Sequence, residues 1–212
     1  MKAMTTEHLA GWYFRLNGFF TITNFVLHPS RRGAQRTDAD IVGVRFPYRS
    51  EFPDAPGGDE PEFTHLTNRP YFVIAEVKRS LCLLNGPWTD ETKQNIHAVL
   101  CDLGPFPQER VREVAQSLYQ RGVYDCSQFY CSLFCVGNEK NPDVTSRYPH
   151  VPQRTWEQIL RFLFERFQTY SHRKADHDSW DEVGKELWNA SRGTTKEKFV
   201  KEVKTQMGFT TL

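Results

Sequence analysis

Three side chains in this chain have the types and the order needed for metal-assisted chemistry: Asp40, Glu76 and Lys78. Glu76 and Lys78 close the run Phe72-Val73-Ile74-Ala75-Glu76-Val77-Lys78. Successive side chains of a strand alternate between faces, so these two point the same way. An acid and a base ending an otherwise apolar central strand are costly to strip of water, which calls for mutual pairing or a bound cation. Upstream, Thr37-Asp38-Ala39-Asp40-Ile41-Val42-Gly43-Val44 puts Asp40 at the mouth of the preceding strand. Two neighbouring strands then present two carboxylates together. With a backbone carbonyl such as that of Val77, they make a hard oxygen site suited to Mg²⁺ or Mn²⁺. At such a site a phosphate is polarised and an attacking water loses its proton more easily. Lys78 is expected to orient that water or to offset the charge growing on phosphorus.

Each residue has a plainer reading. Glu76 and Lys78 also suit a structural pair at a strand end, and Asp40 a cap on the turn into its strand. Buried charge favours the functional reading. Asp38 shares a strand face with Asp40 and reads better as a solvated acid than as a helper.

The elements that must position these groups follow from periodicity. Leu9, Trp12, Tyr13 and Leu16 share a helical face from Thr6 to about Asn17, with Gly18 as the stop. Phe19 to Leu27 and Asp40 to Phe46 read as strands around a basic loop, His28 to Thr37. Pro47 to Pro70 is a long polar insertion. Tyr71 to Val77 fits a strand buried on both faces. Helices are expected over Thr89–Leu103 and Pro107–Arg121, then a strand over Phe129–Val136. From Pro149 the pattern is helical: Thr155 with Gln158, Ser179 with Glu182, and Thr194 with Glu197 each form a capping-box signature. The order is helix, three strands, helices, strand, helices. It predicts an α/β fold with a mixed sheet flanked by helices, residues 1–148 as core and 149–212 as a helical C-terminal extension packed on it.

The sequence of Asp40 followed by Glu76-Val77-Lys78 at a strand end resembles the PD-(D/E)XK nuclease superfamily, the restriction-endonuclease-like fold. The likeness covers roughly Thr6 to Val136, with Ala39 standing where the family has a proline. The resemblance implies Asp40 and Glu76 as metal ligands, Lys78 as catalytic lysine, Mg²⁺ or Mn²⁺ as cofactor and nucleic acid, DNA above all, as substrate. Restriction, repair or defence against foreign DNA is the implied setting. Many relatives carry another acid on the first helix. Glu7 is the candidate here, although its projection opposite Leu9, Trp12 and Leu16 predicts solvent. Some relatives place a Gln on the helix after the lysine strand. Gln94 occupies that place, on either a site-facing or a wet surface. Arg31, Arg32, Arg36, Arg45 and Arg49 surround the acidic strand and Arg79 follows Lys78. They are candidates for neutralising backbone phosphates, though charge runs are usually solvated.

Composition narrows the setting. The 212 residues are 39% hydrophobic and 14% aromatic, enough for a sizeable core. A net charge of +1 excludes a general polyanion coat, so nucleic-acid affinity must come from local patches. No apolar run approaches the roughly 20 residues that span a bilayer, and five cysteines without framework spacing suit a reducing cytoplasm. Cys131 and Cys135 lie about 13 Å apart at strand rise, too far to share a zinc ion with Cys126, so buried thiols are expected. His172 and His177 read as surface residues. The aromatic run Trp156, Phe162, Phe164, Phe167 and Tyr170 reads as a packing helix, with a partner-protein or homodimer interface as its other use. A non-catalytic binding protein that keeps this fold is the alternative expectation.

Overall fold

The apolar run Tyr71–Val77 lies at the middle of the sheet in the computed structural model, which describes residues 4–28, 37–51, 58–65, 68–171 and 180–209. In chain order the elements are α1 (Thr6–Leu16), β1 (Phe19–Leu27), β2 (Thr37–Arg45), α2 (Pro61–Thr64), β3 (Tyr71–Val77), α3 (Gly86–Thr89), α4 (Asn95–Leu103) and α5 (Gln108–Arg121). They continue with β4 (Val123–Asp125), β5 (Tyr130–Gly137), α6 (Pro142–Arg147), β6 (Gln153–Thr155), α7 (Trp156–Ser171), α8 (Glu182–Ser191) and α9 (Lys196–Met207). The strands form one mixed sheet in the order β1-β2-β3-β5-β4. β2 pairs antiparallel with both β1 and β3, whereas β3 and β5 run parallel. β4 and β6 share the far side of β5, β4 pairing its first half and β6 its second.

Helices cover both faces, which is why β3 reads as a continuous apolar run rather than an alternating one. Tyr71, Val73, Ala75 and Val77 enter one core, with α1, α7, α8 and α9. Ile74 enters the other, with α4, α5 and the thiols of Cys82, Cys131 and Cys135. The first core is dense in rings: Phe14, Phe63 and Phe134 meet at centroid separations of 5.0–6.1 Å.

The segment after residue 148 does more than add helices. It contributes β6 to the sheet and, through α7, buries Trp156, Leu160, Leu163 and Phe167 against α1 and the strands. Thr155 and Gln158 cap α7 reciprocally: the Gln158 backbone N–H donates to Thr155 Oγ1 at 3.3 Å and the Thr155 N–H donates to Gln158 Oε1 at 3.0 Å. Two other caps fall one or two residues later than their signatures predict. Asp181 caps α8, and Thr195 rather than Thr194 caps α9. The predicted single helix over residues 89–103 is broken. Gln94 takes a left-handed backbone at φ 53°, so a short helix and a 3₁₀ turn at Glu91–Lys93 precede α4. Short β4, β6, α2 and α6 have too few residues to show a periodicity. No helix among the described residues is long and apolar enough to cross a membrane.

Candidate active site

Asp40 sits where two strands change course. The β1–β2 ladder pairs Thr23 with Ile41 and resumes at Phe25 with Ala39, skipping Asn24 and Asp40. Asn24 has φ 53°, a left-handed turn within a strand that asparagine tolerates better than most residues. Alternation fails at this point: Ile41 packs in the core of α1 and α7, while Ala39 packs in the core of α4 and α5. On the other side, β2–β3 pairing ends at Ile41 with Ala75. Beyond it the Val77 backbone N–H donates to Asp40 Oδ2 at 2.7 Å. A carboxylate has replaced a ladder carbonyl, and its side chain lies in the opening between the two strand ends.

Glu76, only 4% exposed, is the neighbouring carboxylate. Its Oε1 accepts from Lys78 Nζ and Asn85 Nδ2, and its Oε2 accepts from Trp88 Nε1. As strand alternation requires, Glu76 and Lys78 share a side. Lys78 is fixed through its backbone as well: its N–H donates to Val136 O at 2.9 Å, and its carbonyl accepts from Trp156 Nε1 at 3.0 Å. Asn85 and Trp88 lie in the short turn and helix that follow β3. The Asn85-Gly86-Pro87-Trp88 segment carries a helix-start signal, with proline in the first turn. That signal locates a turn, and only the fold aims its side chains at Glu76.

The pair of acids is electrostatically strained. Burial, reinforced by the charge of Glu76, pushes the Asp40 carboxyl up to about 6, against the Val77 hydrogen bond and the Lys78 charge, which pull it down. The charge of Glu7 adds to the rise. Glu7 was expected in solvent, and the structure corrects this: it is half-buried on α1, close enough for its charge to act on Asp40. Burial raises its own carboxyl, but the hydroxyls of Thr5 and Thr6 and its backbone N–H hold it below the usual range. The apolar stripe of α1 is wide enough that its flank, and not only its centre, meets the protein.

Among the described residues, no group of three or more His, Cys, Asp or Glu side chains is placed to hold a metal ion. Asp40 and Glu76 offer two carboxylates. Hard divalent ions such as Mg²⁺ are commonly bound through one or two carboxylates, with water and substrate oxygens completing the shell. The Glu76 charge acts against ionisation of Asp40, and a cation beside Asp40 relieves it. The donor set therefore fits such an ion, with Val77 beside it.

The remaining candidates divide. Asp38 is exposed on β2. Gln94 is exposed, donates to Glu91 O at 2.6 Å and lines a groove with His97, Arg112 and Tyr119, so it faces α5 rather than Glu76. Arg45 is not a phosphate contact. It is 5% exposed and spends its guanidinium on Asn17 O, Phe63 O and Asp59. Arg49 likewise pairs with Asp59 and Glu51. Both tie the insertion after β2 to the core. Arg79 stays exposed beside Lys78. Arg31, Arg32, Arg36, His172 and His177 lie outside the described residues. The cysteines are free thiols, with burial raising those of Cys131 and Cys135. The aromatic face of α7 is core: Trp156, Phe162, Phe164, Phe167 and Tyr170 are all buried.

No protein-family model, curated protein or solved structure matches the chain.

Proposed function

We propose that this protein is a metal-dependent nuclease of PD-(D/E)XK type, hydrolysing phosphodiester bonds in nucleic acid, DNA first among the candidates. The observation that carries the reading is the meeting of Asp40 and Glu76 at splayed strand ends with Lys78 Nζ on Glu76. In support, the resemblance implies a sheet flanked by helices, and the chain has one. Asp40 and Glu76 are the residues to hold a divalent cation. When bound, that ion supplies Lewis acidity toward the phosphate and lowers the pKa of a nearby water. Lys78, half-exposed, can leave Glu76 for substrate and donate to the non-bridging phosphate oxygens as negative charge grows there. Asn85 and Trp88 keep two hydrogen bonds on Glu76 while Lys78 moves, so the carboxylate holds its place. Restriction, repair or defence against foreign DNA are the settings that the resemblance implies.

The test is cleavage of single- and double-stranded DNA and RNA with Mg²⁺ or Mn²⁺. Lys78→Ala is expected to lose activity by about 10²-fold or more while remaining folded. Full activity in that variant overturns the assignment.

One observation favours a second reading, a nuclease-fold protein that binds without cutting. Glu76 already accepts three hydrogen bonds from the protein itself. Nucleic-acid binding with no Mn²⁺ uptake by calorimetry decides for it.

A further inference from the structure

The C-terminal helix α9 carries Lys201 and Lys204 one helical turn apart, on the wall of a groove shared with α7. The same groove is lined by Glu157, Arg161, Glu197 and Phe209. Its charges are not evenly matched. Arg161 pairs with Glu157 at 3.1 Å and with Glu197 at 3.5 Å, so both acids are committed to one guanidinium. Lys196 pairs with Glu165 and Lys198 with Glu202. Among the described residues, no carboxylate is paired with Lys201 or Lys204.

This groove is linked to the candidate active site through packed side chains. Phe209 stacks on Trp156 at 4.8 Å and 6°, and the Trp156 indole N–H donates to the carbonyl of Lys78. Exposed Arg79, next to Lys78, reaches Met207 O at the end of α9, at 3.4 Å. Three cations without acidic partners among the described residues, Arg79, Lys201 and Lys204, therefore run from the strand end that bears Glu76 and Lys78 onto the groove.

We propose that the α7–α9 groove is the phosphate-backbone subsite of the nucleic acid that enters the candidate active site. Arg79 and Lys204 would take phosphates near the strand end and Lys201 one farther out. The inference rests on the nuclease reading for the identity of the polyanion and adds where it lies. It assigns the C-terminal helices a part in substrate binding. It also explains how a chain of net charge +1 can hold a polyanion: the acids of this face are neutralised internally and the excess is local. Contacts of this kind position the strand and carry no sequence information.

The test is equilibrium binding of fluorescent single- and double-stranded oligonucleotides to the full chain in EDTA, where no metal-dependent cleavage occurs, across a salt series. K201Q/K204Q removes two charges without adding acid to a helix end. It is expected to reduce the slope of log K against log salt by about 1.8 on duplex and about 1.4 on single strands. Between 50 and 200 mM salt, the wild type then loses about tenfold more duplex affinity than the variant. K185Q/R192Q, the same charge loss on α8 and its C-terminal cap, is expected to keep the wild-type slope. An unchanged slope in K201Q/K204Q overturns the proposal, as does an equal drop in both variants. Absence of binding by the wild type, or binding only to anionic lipid vesicles, also overturns it. Absence of cleavage by the wild type in Mg²⁺, with the slope effect intact, would leave the groove standing while the nuclease reading fails, and wild-type cleavage with no slope effect would do the reverse.

Discussion

Asp40 Oδ2 and the backbone nitrogen of Val77 lie 2.7 Å apart, a side-chain bond standing where a sheet ladder would otherwise continue. It spreads β2 from β3 while keeping the two strand ends tied. A carboxylate is thereby held at the opening with its charge only partly compensated.

The raised Asp40 carboxyl makes stability depend on pH. Its value is about 6 in the fold against 3.8 for the free group. Between those values the unfolded chain binds fewer protons than the native one, so stability falls as pH rises from about 4 through about 6. Asp40→Asn can keep an acceptor for the Val77 N–H and removes the penalty. Discounted for its partial exposure to water, the penalty is about 1 kcal/mol, or about 2–4 °C for a chain of this size. Asp40→Asn is expected to melt higher than wild type above pH 6, with the difference vanishing near pH 4. Differential scanning fluorimetry across pH shows whether the gap closes; a constant gap contradicts the linkage.

Metal binding must release the same proton. Millimolar Mn²⁺ is expected to raise the melting temperature of the wild type at pH 7.5 and to do so much less at pH 5. Asp40→Asn should lose most of the response. An equal response at both pH values places the ion elsewhere.

Glu76 depends on its neighbours because it is buried. Trp88→Phe keeps the ring packing and deletes one donor to Oε2, leaving a buried carboxylate short of a partner. A loss of about 1–3 kcal/mol in urea unfolding is expected, together with weaker Mn²⁺-dependent activity. Full stability in this variant would show that the indole N–H does not hold Glu76.

Arg45 and Asp59 are each about 5% exposed at the side chain and 3.0 Å apart. Arg45→Ala leaves Asp59 its pairing with Arg49 but strips the buried carbonyls of Asn17 and Phe63 of their donor. It is expected to cost about 1–3 kcal/mol and to leave nucleic-acid affinity per folded molecule unchanged. A fall in affinity without a fall in stability would restore Arg45 as a phosphate contact.

Gly137 packs against the loop that follows Lys78. A Cβ there would lie 2.6 Å from the Cys82 nitrogen and 2.8 Å from Ser80 O, both backbone atoms. Gly137→Ala is therefore expected to push residues 80–82 aside, lowering both melting temperature and any metal-dependent activity. Wild-type values for both would mean that the loop yields freely.

The central elements were legible because each follows one repeating pattern. Leu9, Trp12, Tyr13 and Leu16 announce α1, and the uninterrupted apolar run announces β3 as a strand covered on both faces. Asp40, Glu76 and Lys78 were legible as a candidate site for a related reason: charges stand out at the end of such a run. What escaped depends on distance in sequence or on broken periodicity. Glu7 touches the site electrostatically because α1 packs beside β2, which its own helical projection does not reveal. Arg45 read like the other arginines around the acidic strand, since Asp59 and the carbonyls of Asn17 and Phe63 arrive from separate segments. Asn85 and Trp88 sit in a turn too short to show a period, and Gln94 breaks a helix that propensity alone would have continued.

The hydrogen bond from Trp156 to the Lys78 carbonyl has a consequence for biogenesis. During synthesis, β3 leaves the ribosome long before α7 does. Until Trp156 follows, the strand end that carries Lys78 lacks that anchor, and the core beneath α1 lacks α7 to α9. A growing chain therefore bears Asp40, Glu76 and Lys78 without the support that fixes Lys78. That strand end is fixed late, once α7 has been made and docked.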